Sequence, residues 1–113
     1  MTSYGEQRHV IDREVAKLQL QSLRVECNTV DAVQGREAKV AIYSLTRSNS
    51  EKRLGFLKEK RRLNVALSRG QQYLVIVGDH IFARDAVGEN PFAPVVNHIA
   101  QNRSDCVIKE FKR

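Results

Sequence analysis

The sequence predicts an α/β fold with a mainly parallel sheet, and two observations carry that reading. Short apolar, β-branched runs at residues 39–45 and 73–77 alternate with helix-patterned stretches at 7–20, 60–69 and 93–101. That alternation is the pattern of βα units wrapped around a parallel sheet. The two strand-like runs are also apolar on successive residues, as a strand buried on both faces is.

Each element has its own signal. In 7–20, Val10, Ile11, Val15, Ala16 and Leu18 recur at helical spacing with no Pro or Gly inside, which predicts a first helix ending before Arg24. Val25 and Cys27 alternate with polar neighbours as a short strand, and 29–33 leads into a turn at Gln34-Gly35. Residues 39–45 form the first long strand. The polar stretch 47–57, which contains Gly55, is a loop. Residues 60–69 place Leu63, Ala66 and Leu67 on one helical face, with Gly70 positioned to end the helix. Residues 73–77 form the second strand, closed by Gly78-Asp79. Asn90, Pro91 and Pro94 punctuate a loop before the helix at 93–101. Cys106, Val107 and Ile108 read as a last strand before a solvated Lys-Glu-Phe-Lys-Arg end.

A chain of 113 residues, 42% of them apolar, supports one domain over 1–113, or a piece of one. No segment approaches the ~18 to 20 continuous apolar residues of a membrane span, and no signal-peptide core follows Met1. Cys27 and Cys106 fall in strand-like runs, which favours buried free thiols over a disulfide and suits a reduced, cytoplasmic setting. The net charge of +6 implies a polyanionic partner. Lys58, Lys60, Arg61 and Arg62 gather in one region, with Lys52 and Arg53 just before it. His9, His80 and His98 have no metal-ligand spacing with one another or with the cysteines, so no metal site is expected. No serine sits in a Gly-x-Ser-x-Gly elbow.

Two segments carry chemistry. Residues 29–37 read Thr-Val-Asp-Ala-Val-Gln-Gly-Arg-Glu, and residues 61–69 read Arg-Arg-Leu-Asn-Val-Ala-Leu-Ser-Arg. Gly35 lets backbone approach a phosphate closely, and the carboxylate of Glu37 accepts hydrogen bonds from hydroxyls. Arg61, Arg62 and Arg69 bring planar, permanently charged donors suited to phosphate. On a single helix Arg62 and Arg69 lie about two turns apart and face similar directions. Taken alone, the first segment also reads as a plain Gln-Gly turn and the second as a solvated basic helix. After the strand at 39–45, the short polar residues Ser44, Thr46, Arg47 and Asn49 suit phosphates or sugars.

In this order, with a strand between them, the two segments resemble motifs V and VI of superfamily-1 helicases, in the subgroup that includes the nonsense-mediated-decay RNA helicase. Residues 2–8, Thr-Ser-Tyr-Gly-Glu-Gln-Arg, resemble that family's motif IV with Ser3 replacing its proline. The resemblance runs from Thr2 to Asp79. It implies the second of two RecA-like domains: a three-layer fold of the P-loop NTPase type, incomplete at its N-terminus. Arg69 then matches the arginine finger, and Arg8 a second γ-phosphate contact. Glu37 matches the ribose-binding glutamate, with Gln34, Gly35 and Arg62 beside the nucleotide; Arg62 matches an arginine that ties the helix to neighbouring motifs. Thr29 matches a threonine that touches the nucleic-acid backbone. Thr46, Arg47 and Asn49 are expected on the same track, Arg47 to Asn49 resembling the family's Arg-Ser-Asn.

The sequence departs from the family again in the second segment. Where the family commonly has Thr-Arg-Ala-Arg, this chain has Ser68-Arg69-Gly70-Gln71, which keeps the finger and replaces the second arginine. None of the six glycines is followed by Lys, and Asp79 is followed by His80, so neither Walker A nor Walker B is expected. ATP and Mg²⁺ therefore belong to a complete two-domain enzyme, and this chain alone is expected to bind neither and to hydrolyse no ATP. Its expected partners are single-stranded DNA or RNA and a first RecA-like domain, in cis or in trans, and no membrane. An excised piece and a truncated gene product both fit. Two other readings stay open: a stand-alone basic nucleic-acid-binding module, and a subunit completing a separate P-loop domain.

Overall fold

The computed structural model describes residues 1–111; Lys112 and Arg113 of the solvated end lie outside the described residues. After helix α1 (Gly5–Lys17) the chain reaches strand β1 (Ala38–Ser44), helix α2 (Lys60–Leu67), strand β2 (Gly70–Val77), and helices α3 (His80–Asp85) and α4 (Phe92–Gln101). β1 and β2 pair in parallel, Ile42 opposite Val75 and Ser44 opposite Val77. The parallel sheet is as the sequence predicts. It is extended by single bridges on its other side. The Met1 amine donates to the Ile42 carbonyl at 2.7 Å, and the Ser44 amide to the Met1 carbonyl at 2.9 Å. Thr2 then bridges Thr29, the Val30 amide donating to the Thr2 carbonyl at 2.9 Å. Across the sheet the order is thus Thr29, Thr2, β1, β2, all parallel.

The core forms on one face. Tyr43 and Leu45 from β1 and its continuation meet Leu63 and Ala66 of α2, Phe82 and Ala83 of α3, and Phe92 of α4. The Tyr43 and Phe92 rings stack at 6.4 Å and 17°. Burying each large apolar side chain contributes roughly 1.5–3 kcal/mol, so this face supplies most of the stabilisation.

The opposite face corrects the expectation of strands buried on both sides. Val40, Ile42 and Val77 are 50%, 53% and 54% exposed, and by register Tyr73 and Val75 share that face and are also exposed. Apolar residues at successive positions, 40–43 and 73–77, mark strands made to be covered twice. The described residues supply one of those covers, so of three expected layers they form two. The α/β class with a parallel sheet stands.

Other expectations need correction. α1 starts at Gly5 and stops at Lys17, and none of its residues is buried. Residues 25–27 form no strand; only Thr29 bridges. Residues 106–108 form no strand either, and Val107 is exposed. Both cysteines are free but only half-buried. Helix α2 ends at Leu67, and β2 begins as early as Gly70 because the Ala38 amide already reaches the Arg69 carbonyl at 3.0 Å. α3 was not expected. Asp79, read as a strand end, caps it by accepting from the Phe82 amide at 3.0 Å.

Candidate functional site

The two signature segments, remote in sequence, lie side by side. In the first, Val30 is buried in the core and Asp31–Val33 forms a single 3₁₀ turn. A second turn follows, with Gln34 at φ −57° and ψ 128°, Gly35 at φ 83°, and the Arg36 amide donating to the Val33 carbonyl at 2.9 Å. This is type II geometry, whose third position favours glycine because φ is positive. Gly35 is therefore required by the backbone, and Gln34 and Arg36 are displayed on either side of it.

Two arginines fasten the second segment to the first. Arg62 on α2 donates from Nε to both carboxylate oxygens of Asp31 at 3.1 and 3.3 Å. It also pairs with Glu59, and its guanidinium lies 4.1 Å above the Phe56 ring. With two carboxylates and a ring around it, Arg62 ties the helix to its neighbours. Arg69 makes the other fastening. Its Nε donates to the Val65 carbonyl at 3.0 Å, one terminal nitrogen to the Arg36 carbonyl at 2.9 Å, and the other to Ser68 Oγ at 2.8 Å.

The placing of Arg69 corrects the picture of one basic helical face. Arg69 lies beyond the end of α2, at the mouth of β2, and does not share a face with Arg62. The helical pattern of Leu63, Ala66 and Leu67 runs on to Gly70 in sequence, but the backbone leaves the helix at Ser68. A guanidinium carries one N–H on Nε and two on each terminal nitrogen. The three bonds of Arg69 leave one donor free on each terminal nitrogen, a pair able to grip a phosphate.

Glu37 immediately precedes β1 and is exposed. Gln71 Nε2 donates to its Oε2 at 3.3 Å, a partner that the sequence did not reveal. Arg36 turns its side chain away, to Glu26. A recess of about 160 Å³ between the segments is lined by Gln34 and Arg62 together with Asp31, Glu59, Arg61 and Val65. Ligand pockets usually run from about 300 Å³ upward, so this recess is smaller than an ordinary ligand pocket.

The residues expected on the nucleic-acid track gather after β1. Thr46, Arg47, Ser48 and Asn49 line an open groove of about 370 Å³ with Tyr4. Thr46 has a positive φ of 69°, held by contacts of its Oγ1 with Thr2 Oγ1 and Ser44 Oγ, each at 3.1 Å. Arg47 Nε and Asn49 Nδ2 both donate to the Arg53 carbonyl at 3.0 Å, and Asn49 accepts from the Arg53 amide at 3.1 Å. The loop is thereby closed on itself. Ser48 donates to Asp79 at 2.8 Å, which connects the groove to the cap of α3. The Phe82 amide, and after it Ser48, hold the Asp79 carboxyl below its ordinary range. Thr29 lies on the outer flank of this end through its bridge to Thr2.

Arg8 stands apart from Arg69. Its Nε donates to the Cys27 carbonyl at 3.1 Å, which holds α1 against the segment before Thr29. Burial, with Asp12 nearby, pushes the Cys27 thiol up from its usual value. Among the described residues no group of three or more His, Cys, Asp or Glu stands close enough to hold a metal, and no helix is long and apolar enough to cross a membrane.

A parallel βα core whose two signature segments are fastened by arginines defines a RecA-like α/β domain of the superfamily-1 helicase type. A family model described as AAA domain matches residues 1–81. The chain belongs to that family. It is 50% identical over 62 residues to the DNA polymerase alpha-associated DNA helicase A of Schizosaccharomyces pombe, a match covering 55% of this chain and 9% of that protein. It is 49% identical over 55 residues to the Regulator of nonsense transcripts 1 homolog of Drosophila melanogaster, covering 49% of this chain and 5% of that protein. With the DNA replication ATP-dependent helicase/nuclease DNA2 of Gallus gallus it shares 40% identity over 79 residues, 69% of this chain and 8% of that protein. The chain thus spans less than a tenth of the length of these relatives.

Proposed function

We propose that residues 1–113 act as the C-terminal part of the second RecA-like domain of an ATP-dependent superfamily-1 helicase. In this reading the chain supplies an arginine finger to ATP held on a first, P-loop domain, and a stretch of track to a single strand of DNA or RNA. The observation that carries it is the fastening of the two signature segments, Arg62 on Asp31 and Arg69 on the Arg36 carbonyl.

The chemistry follows from the geometry. Arg69 is oriented by the Val65 and Arg36 carbonyls and keeps two donors free. A pair of fixed donors aimed at charge that develops on a γ-phosphate stabilises the transition state and needs no reorganisation. Glu37, beside it, is an acceptor for ribose hydroxyls. Gln34, Gly35 and Arg62 form the adjoining wall, and Arg8 adds charge from α1. Mg²⁺ would enter with the triphosphate on the first domain, where it neutralises phosphate oxygens. At the far end of the sheet Thr29, Thr46, Arg47 and Asn49 offer hydroxyl, guanidinium and amide donors to a nucleic-acid backbone.

A subunit that completes a separate P-loop domain is a second reading. The bare face of Val40, Ile42 and Val77 supports it, because such a face calls for cover.

The test supplies the P-loop domain in one polypeptide with this chain and changes Arg69 to Lys. Lysine keeps the charge and loses the fork. Turnover stimulated by single strands is expected to fall by on the order of 10³ or more, with KM for ATP changed far less. Normal turnover in Arg69→Lys would remove the finger from this reading.

A further inference from the structure

We infer that Gln71 is a positioning residue that sets the Glu37 carboxylate for a ribose diol, and that Gly70 and a bulge in β2 bring it there. The inference rests on the nucleotide reading of Glu37 above and deepens it. Its starting point is the register of the sheet. Ala38 pairs with Gly70, yet Val40 pairs with Tyr73, so β2 spends one residue more than β1 over the same stretch. An extra residue in one strand bends it locally and re-aims the side chains beside it.

Gly70 is what permits the bulge. A Cβ on it would stand 2.3 Å from the Tyr73 carbonyl oxygen and 3.3 Å from Ala41 Cβ. Any residue larger than glycine would push β2 out of this path. Of the three departures from the Thr-Arg-Ala-Arg pattern, two, Gly70 for alanine and Gln71 for arginine, therefore sit at one irregularity. They act as one device.

The product of that device is the contact of Gln71 Nε2 with Glu37 Oε2 at 3.3 Å. A carboxylate has two acceptor oxygens. Gln71 takes one, and Oε1 has no partner among the described residues. The neighbouring cations do not compete for it. Arg69 directs its bonds to Val65, Arg36 and Ser68 and makes none to Glu37, while Arg36 is turned to Glu26. A neutral amide fixes the carboxylate without cancelling its charge, leaving it a strong acceptor for O–H donors. An arginine in its place would form a bidentate pair and occupy both oxygens. The 3.3 Å separation is long for a hydrogen bond, so the contact orients the carboxylate without gripping it tightly.

The experiment uses the two-domain enzyme and reads KM and kcat with ATP, 2′-deoxy-ATP and 3′-deoxy-ATP. Gln71→Met keeps the reach and removes the donor. It is expected to raise KM for ATP about three- to tenfold, the range of one typical net hydrogen bond. It should narrow the preference over at least one deoxy analogue, with kcat within about twofold. Gly70→Ala, which acts through the bulge, should narrow it too, and circular dichroism confirms that both variants fold. If Glu37→Gln abolishes ribose discrimination while Gln71→Met leaves it intact, the positioning role is overturned and the ribose reading survives. If Glu37→Gln also leaves discrimination intact, the ribose reading falls and this inference falls with it.

Discussion

The two ends of the β1–β2 pair are built from different kinds of bond. At the end where the strands begin, each side chain crosses between the segments with one hydrogen bond. Arg69 crosses to the Arg36 carbonyl and Gln71 to Glu37. At the end where they close, the bonds interlock around a threonine with no exposure. Thr2 bridges Ser44 and Thr29, and its Oγ1 lies 3.1 Å from Thr46 Oγ1 and accepts from the Tyr4 amide at 3.3 Å. The Leu45 amide reaches the Val77 carbonyl at 2.9 Å, and Ser48 reaches Asp79. The difference teaches where the molecule can afford adjustment. Sites that must close on a ligand come from the less stable parts of a fold. Stability should therefore respond mainly to the closing end, and the proposed nucleotide chemistry to the opening end.

The largest effect should come from Tyr43, next to the closing end. It is buried, stacked on Phe92, and its hydroxyl lies 3.1 Å from Ser3 Oγ. Tyr43→Ala leaves a cavity under three helices and is expected to remove about 3–5 kcal/mol. That is a large share of the ~5–15 kcal/mol of a typical domain. Urea unfolding followed by circular dichroism measures it; a loss below about 1 kcal/mol would mean that the core does not anchor this end.

A middle-sized effect belongs to Asp79, which caps α3. Asp79→Ala should cost about 1 kcal/mol. The carboxyl is held below its ordinary value by the Phe82 amide and then Ser48. The sign follows from linkage: a lowered folded-state pKa contributes stability that is full above the unfolded value of ~3.9 and is lost as pH falls through the lower folded value. The ionic part of the difference between wild type and Asp79→Ala should shrink below about pH 4. Asp79→Asn, which keeps an acceptor without a charge, should show no such step. A difference constant with pH would place the capping in the neutral hydrogen bond alone.

What could be read in the sequence divides along physical lines. β1, α2, β2 and α4 were legible because each carries its period and its stop signal locally. The signature residues were legible as types in order. The contacts that fix them were not. Arg69 reads as helical because the pattern of Leu63, Ala66 and Leu67 does not break until Gly70, and only the Ala38 amide on the Arg69 carbonyl shows the backbone already in the sheet. Residues 25–27 and 106–108 alternate or cluster as strands do, but a strand needs a ladder partner, and pairing is not a local property. α3 has only six residues, too short for periodicity, and its one signal, Asp79, served equally well as a strand end. Gln71 reached Glu37 through a bulge, and nothing in a sequence period announces a bulge. The bare sheet face was hidden for the opposite reason: the pattern records the cover a strand needs, and the described residues show how much of it is present.

The smallest effect sharpens the comparison most. Glu37 is exposed, and its recorded hydrogen bond is the long one from Gln71. Glu37→Ala removes no core contact and orphans no buried group, so its change in unfolding free energy should stay within about 0.5 kcal/mol. Alongside Tyr43→Ala and Asp79→Ala in the same urea series, a near-zero result assigns the fastening of the sheet to its closing end. It also leaves Glu37 free for a ligand, since a side chain that stabilises nothing in the folded chain is free to bind one. If Glu37→Ala instead unfolds the chain as readily as Asp79→Ala does, the opening end is a structural clasp. The contrast between the two ends would then collapse, and Gln71 and Glu37 would be partners in holding the strands together.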